Sequence, residues 1–189
     1  MDPRFSSAVF LILSCWLWNA ECRDYNQILK VPNGGQWGEW GELDMCPTGY
    51  AGGFVLKVQQ PQGISYDDTS LNGIGLICTG NILKTSTIGE VGDWGLYRLC
   101  SGGNLMSFAL RVEGNQTVGD DTAANNIKFI CGNEGMLQGF SNNWGRYGPW
   151  SDSCEVGAIC GIKTKVERFR TSMFTDNTGL NDVQFVCCD

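Results

Sequence analysis

Apolar and polar residues alternate with a period of two in short segments that return three times along the chain. One set reads Phe54-Val55-Leu56-Lys57-Val58, Phe108-Ala109-Leu110-Arg111-Val112 and Ile162-Lys163-Thr164-Lys165-Val166. A second set reads Ile74-Gly75-Leu76-Ile77-Cys78, Ile127-Lys128-Phe129-Ile130-Cys131 and Val183-Gln184-Phe185-Val186-Cys187. Period two belongs to a strand with one face against a core. Gly and Asn clusters bound these runs, as turns require. No segment of ten residues carries a helical period, so the pattern predicts an all-β chain.

The recurrence extends to individual positions. Cys46, Cys100 and Cys154 stand 54 residues apart, as do Val58, Val112 and Val166. Asp67-Asp68-Thr69, Asp120-Asp121-Thr122 and Asp176-Asn177-Thr178 form a later block, with Asn72, Asn125 and Asn181 three places after each Thr. Gly38-Glu39-Trp40, Gly92-Asp93-Trp94 and Gly148-Pro149-Trp150 open the units, which therefore run roughly 37–80, 91–133 and 146–189. The connections between the strands differ in length, where insertions are tolerated. Three equivalent sheets, each apolar on one face, bury those faces by closing around a common axis like the sides of a prism. A propeller competes, but its blades usually number about four to eight.

The first residues have a different character. Arg4 precedes an apolar run of 11 residues, Ala8 to Trp18, too short for a membrane helix of about 20. It has the form of a secretory signal peptide. Cleavage after Ala20 competes with cleavage after Cys22. The second removes Cys15 and Cys22 and leaves eight of ten cysteines, an even number. The expected division is a signal peptide at 1–22 and a single secreted, extracellular domain at 23–189. Within the units the first and last Cys recur at separations of 32, 31 and 33. This predicts Cys46–Cys78, Cys100–Cys131 and Cys154–Cys187, one bridge per sheet, leaving Cys160–Cys188 to secure the C-terminus. The CxxC pairs of a zinc site are missing, so no metal is expected.

Val31-Pro32-Asn33-Gly34-Gly35-Gln36-Trp37-Gly38-Glu39-Trp40-Gly41, followed by Cys46-Pro47, is similar to the opening of the vitelline membrane outer layer protein 1 family. Leu71-Asn72-Gly73-Ile74 after Asp67-Asp68-Thr69, and the terminal Val186-Cys187-Cys188, resemble that family as well. The likeness covers the whole chain after the signal segment, all eight cysteines included. It implies a β-prism of three Greek-key sheets about a pseudo-threefold axis. It further implies a protein of the egg's outer vitelline layer, with relatives in mucosal secretions. A link to N-acetylglucosamine oligosaccharides, as binder or weak transferase, also comes with the resemblance.

Composition narrows the chemistry. The chain has 189 residues, 26 Gly, no His, and 20 acidic against 13 basic side chains, a formal charge of −7. Without His there is no Ser-His-Asp or Cys-His nucleophile system. The acidic balance opposes a nucleic-acid partner, which calls for clustered Lys and Arg. Glycosyl chemistry needs two carboxyls, about 5–5.5 Å or about 6.5–9.5 Å apart. Asp67, Asp68, Asp120, Asp121 and Asp176 are the candidates. The same residues are turn formers, and threefold recurrence favours that structural role.

Trp40, Trp94 and Trp150 recur in register, which favours packing in the core with Gly allowing close approach. The aromatics that break the repeat, Trp37, Tyr66, Trp144 and Tyr147, are the better surface candidates for sugar contact. Asn115-Gln116-Thr117 is an N-glycosylation sequon, with Asn115 in an insertion-tolerant loop. Lys163, Lys165, Arg168 and Arg170 form a basic patch on a solvated strand face, a place for acidic mucin-type glycans to meet the protein. The expectation is a non-enzymatic, cofactor-free, secreted coat or mucosal protein that associates with glycoproteins or mucins. The competing readings are a weak glycosyltransferase or hydrolase and a secreted lectin. Neither nucleic acid nor membrane insertion is expected.

Overall fold

The computed structural model describes residues 23–63, 68–114, 122–170 and 177–189. In chain order the strands are β1 (Gln27–Leu29), β2 (Glu39–Trp40), β3 (Asp44–Met45), β4 (Ala51–Val58) and β5 (Leu71–Cys78). Then come β6 (Ile82–Thr85), β7 (Asp93–Trp94), β8 (Arg98–Leu99), β9 (Leu105–Val112) and β10 (Ala124–Cys131). The last are β11 (Met136–Gln138), β12 (Arg146–Tyr147), β13 (Ala158–Val166) and β14 (Leu180–Cys188). Among the described residues no helix is long and apolar enough to cross a membrane.

The long strands are the period-two segments, paired antiparallel within each repeat: β4 with β5, β9 with β10, β13 with β14. Phe54 lies opposite Leu76, Phe108 opposite Phe129 and Ile162 opposite Phe185. These residues face one another across the three sheets of a β-prism and are fully buried in a single core. At its centre the Phe129 ring lies 4.7 Å from Phe54 and 5.2 Å from Phe185. A side chain from each sheet thus meets at the axis, and burial of this apolar surface is what closes the prism.

The short strands depart from the simple repeat. The first sheet runs β6-β5-β4-β7 with β8 also on β4, and the second runs β11-β10-β9-β12. The third runs β1-β14-β13-β2 with β3 also on β13. The segment that opens each repeat therefore belongs to the sheet of the repeat before it. The segment that opens the first repeat, with β1, completes the third sheet.

This exchange changes the meaning of the disulfides. The bonds are Cys46–Cys78, Cys100–Cys131, Cys154–Cys187 and Cys160–Cys188. Cys46, Cys100 and Cys154 donate their amides to Cys160, Gly52 and Met106, on the third, first and second sheets respectively. Their partners lie on β5, β10 and β14, in the first, second and third sheets. Each repeated bridge therefore joins neighbouring sheets, which overturns the expectation of one bridge per sheet. The separations fix which cysteines recur, but not which sheet the opening strand enters. Cys160–Cys188 does stay within one sheet, between β13 and β14. All three inter-sheet bridges lie where β4, β9 and β13 begin, so the prism has one stapled end.

Candidate functional site

The opposite end is built from a polar set present three times. Thr69, Thr122 and Thr178 donate their hydroxyls to Gln59, Glu113 and Glu167, each at 2.6 Å. The same hydroxyls accept from the Nδ2 groups of Asn72, Asn125 and Asn181 at 2.6, 2.8 and 2.7 Å. These Thr and Asn residues are buried, and a buried polar group without such a partner is destabilising. The set ties the ends of the connection after β4, β9 and β13 to the start of the following strand. The signal for its acceptors was present in the sequence, since positions 59, 113 and 167 also recur at 54 residues.

A second threefold device uses cations. Lys57 Nζ donates to the Gly89 and Glu90 carbonyls at 2.7 and 3.0 Å. Arg111 Nε donates to the Trp144 and Gly145 carbonyls at 2.9 and 3.2 Å, and Lys165 Nζ to Gln36 O at 2.7 Å. Each cation, again 54 residues from the next, clamps the loop that leads into a short edge strand. Lys165 therefore serves a loop, not only a solvated strand face.

The loop held by Lys165 presents Trp37. Gly35 N–H donates to Asn181 O at 2.7 Å, and Trp37 N–H to Asn181 Oδ1 at 3.1 Å. Asn33 Nδ2 donates to Leu110 O at 3.0 Å. The loop is thereby fixed to both the second and third sheets, while the Trp37 side chain stays 57% exposed. Two grooves flank it. One, of about 320 Å³, is lined by Asn33–Trp37 together with Val112, Glu113, Thr122 and Asn181. The other, of about 490 Å³, is lined by Trp37, Trp40, Ile88, Phe169, Arg168 and Arg170 among others.

The remaining aromatics sort differently from expectation. Gly38, Gly92 and Gly145 all have positive φ, at 85°, 84° and 68°. In each, an added Cβ would strike the backbone of Val166, Val58 or Val112, so only Gly fits the turn. The residue two places on pairs with Lys165, Lys57 or Arg111, and is Trp40, Trp94 or Tyr147. Tyr147, not Trp150, is thus the third member of the set. Gly41, Gly95 and Gly148 make equivalent amide bonds to Thr164, Leu56 and Leu110, yet Gly148 lies six residues before its Cys where the others lie five. That one-residue insertion puts Tyr147 seven residues before its Cys, where Trp40 and Trp94 lie six before theirs, whereas Trp150, four before Cys154, shares only the Gly-x-Trp spelling. The residues preceding the three turn glycines are Trp37, Val91 and Trp144, so Trp37 and Trp144 are counterparts and do not break the symmetry.

The expected core packing of Trp40, Trp94 and Trp150 is also corrected. They are 36, 39 and 38% exposed: Trp40 and Trp94 stand on short edge strands and Trp150 follows β12, all outside the core of Phe and Leu side chains. Lys128 Nζ sits 4.5 Å from the Tyr147 ring centroid and 4.6 Å from that of Trp150. Those faces are engaged by the protein's own ammonium. Trp144 is half-buried, which leaves Trp37 as the accessible ring among the described candidates.

Of the carboxylate candidates, Asp68 is buried and accepts from the Gln62 amide at 3.0 Å. Asn177, its counterpart in the third repeat, exchanges hydrogen bonds with the backbone of Arg170 at 2.8 and 3.0 Å. Both side chains close their own loops. Asp67, Asp120, Asp121, Asp176, Tyr66 and Asn115 lie outside the described residues, as does the segment 1–22. Among the described residues no group of three or more His, Cys, Asp or Glu is placed to hold a metal.

Among the described residues two groups have a shifted pKa. Burial raises the Asp182 carboxyl above the usual carboxylate range, opposed by the Val183 amide and Lys165. Burial also pushes the Tyr147 phenol up to about 12, opposed by Arg111. Asp182 lies against Gly34 of the Trp37 loop, so its charge bears on this end of the prism.

The sequence profile of the vitelline membrane outer layer protein I family matches residues 27–189. The vitelline membrane outer layer protein 1 homolog of Homo sapiens is 46% identical over 172 residues, covering 87% of this chain and 84% of that protein. Its namesake from Mus musculus is 45% identical over the same length and coverage. Among solved structures, frutalin from Artocarpus incisa is similar in fold, with a TM-score of 0.52 at 12% identity, covering 89% of this chain and 99% of that one. The mannose-binding lectin from Champedak gives 0.51 at 12% identity, covering 88% and 99%.

Proposed function

The chain belongs to the vitelline membrane outer layer protein I family, and from that premise we propose that it is a secreted, non-enzymatic, carbohydrate-binding component of an extracellular coat or mucosal secretion. Its partners in this reading are the glycans of glycoproteins or mucin-like polymers. The observation that carries it is Trp37, an exposed indole held on a loop with four hydrogen bonds to the second and third sheets. Sugar rings present apolar C–H faces that stack on such a ring, with nearby amides supplying orientation. A loop already fixed in place loses little conformational freedom on binding. The β-prism of the mannose-binding lectin from Champedak is compatible with this reading, at the level of fold.

Secretion is supported by the four disulfides, which persist in oxidising compartments, and by the signal-like composition of residues 1–22. Residues 23–189 then form the mature domain, with Asn115 as its glycosylation site. The enzymatic reading is the weaker one, since Asp68 is committed to closing its own loop. A glycan array probed with the oxidised, secreted protein and with Trp37→Ala tests the proposal. Saturable binding to a set of glycans, lost in Trp37→Ala, is the expected result; an array with no signal from the unaltered protein overturns it.

A further inference from the structure

The three sheets present equivalent outer faces, and strand register lines up their side chains in rows. Across the middle of the first sheet Val55 lies opposite Gly75, and Gly75 opposite Thr85. The same row reads Ala109, Lys128 and Gln138 on the second sheet, and Lys163 and Gln184 on the third. A cation thus stands at the middle of two faces and is replaced by apolar residues and Thr on the first. The neighbouring row of the first sheet is Leu99, Gly53, Ile77 and Leu83, again without an ionisable group. Lys57, one row further, turns its ammonium to the carbonyls of Gly89 and Glu90.

Glycines keep this face flat. An added Cβ at Gly53 would strike Leu99, at Gly73 Ile88 and at Gly75 Leu83, so these side chains lie down across the central strands. Beneath them Val55 and Ile77 are buried, although both stand outside the central core. The covering residues stay open to solvent. Leu83, Leu99 and Ile88 are 43, 53 and 38% exposed, and Tyr97 beside β8 is 59% exposed. With Trp94, and at about 150–250 Å² for a large side chain, they leave on the order of 500 Å² of apolar surface. That lies high in the range of about 300–600 Å² for the largest such patch on a monomer.

We propose that the outer face of the first sheet is the contact through which two copies of this chain associate, face to face about a twofold axis. Charge selects a second copy over other occupants. In a twofold contact the residues at the axis meet their own copies. A face centred on Lys128 or Lys163 would set like charges together, and the first sheet avoids this. An anionic polymer or an anionic lipid surface would find no free cation there. Area agrees, since a standard interface takes about 800 Å² from each partner and is about 65% apolar in homodimers. The apolar part of such a contact matches what this face offers. The proposal is independent of the carbohydrate-binding reading.

Sedimentation equilibrium of the oxidised, secreted protein tests it. The expected result is a reversible monomer–dimer equilibrium that tightens as salt rises, because each copy is negatively charged and the contact holds no ion pair. Leu83→Lys and, separately, Thr85→Lys should each weaken dimerisation by about tenfold or more, with urea midpoints showing that the variants are folded. Met136 pairs with Ile130 on the second sheet as Leu83 pairs with Ile77 on the first. Met136→Lys should therefore leave dimerisation unchanged. A protein that is monomeric up to about 1 mM overturns the proposal. So does a dimer that resists both first-sheet variants, that Met136→Lys weakens equally, or that loosens as salt rises. A monomer that binds phosphatidylcholine vesicles or mucin, with the binding lost in Thr85→Lys, gives the face to another occupant and overturns it as well.

Discussion

The two ends of the prism use the same threefold repeat for opposite purposes. At one end three disulfides run from sheet to neighbouring sheet, so the fastening is covalent and tolerates little displacement. At the other, the fastening is a set of buried Thr–Asn hydrogen bonds and three cation clamps. There the copies differ at the residue before the turn glycine: Trp37 is exposed, while its counterpart Trp144 and the smaller Val91 are half-buried. A covalent end frees the other end to vary its surface, because the closure of the sheets does not depend on the loops that change. The lesson is that internal symmetry is kept where it holds the molecule together and relaxed on the loop that exposes Trp37.

The largest effect is expected from the stapled end. Replacing Cys100 and Cys131 together by Ala opens a bridge that closes a separation of 31 residues. This should cost about 3–4 kcal/mol in the chain-entropy account, read as a fall in the urea midpoint. A loss below about 1 kcal/mol would mean that the seam between sheets is held by other contacts.

Asn181→Ala attacks the non-covalent end. It removes the partner of Thr178 and the acceptor for the Trp37 amide, and should cost about 1–3 kcal/mol. Equilibrium unfolding measures the loss, and tryptophan emission reports whether the indole has moved. Unchanged stability would show that water replaces the side chain without penalty.

Lys165→Met should cost about 1 kcal/mol or less, but it frees Gln36 and so should weaken oligosaccharide binding by loosening the Trp37 loop. Arg111→Met, which frees the loop at Trp144 and Gly145, should lower stability without that loss of affinity. Equal weakening by both variants, measured by titration, would erase the distinction between the two corners.

The smallest expected effect is a slope with pH. Because burial raises the Asp182 pKa in the folded protein, folding favours its protonated form. Its contribution is fully present below the ordinary carboxylate pKa and is lost as pH rises through the folded value. Asp182→Asn should flatten the decline in stability on the alkaline side of that pKa. A profile identical to that of the unaltered protein would assign the slope to other groups.

Much of the fold was legible in the sequence because strands carry their own period and repeats carry their own spacing. The long strands β4, β5, β9, β10, β13 and β14 follow directly from the alternation that starts at Phe54, Ile74, Phe108, Ile127, Ile162 and Val183. The exchange of short strands between repeats was not legible, since Glu39-Trp40 reads the same whichever sheet it joins. The misplaced third aromatic has a simple cause. Gly148-Pro149-Trp150 repeats the Gly-x-Trp spelling of the first two units, while the positive φ that identifies the turn belongs to Gly145. The loop-end clamps were legible and easily passed over: Lys57, Arg111 and Lys165 share the 54-residue spacing of the cysteines, but a charge on an outward strand position reads as solvated. Trp37 was singled out for breaking the repeat. Its accessibility, and the engagement of Tyr147 and Trp150 by Lys128, emerge only from packing.

The most direct test of the division between the ends is backbone amide chemical-shift mapping with a saturating neutral oligosaccharide selected on the glycan array. The account predicts perturbations concentrated at 33–40, 112–114 and 166–170, with little change around Cys46, Cys100 and Cys154. A cluster of perturbations at the disulfides, with the Trp37 loop unmoved, would contradict it.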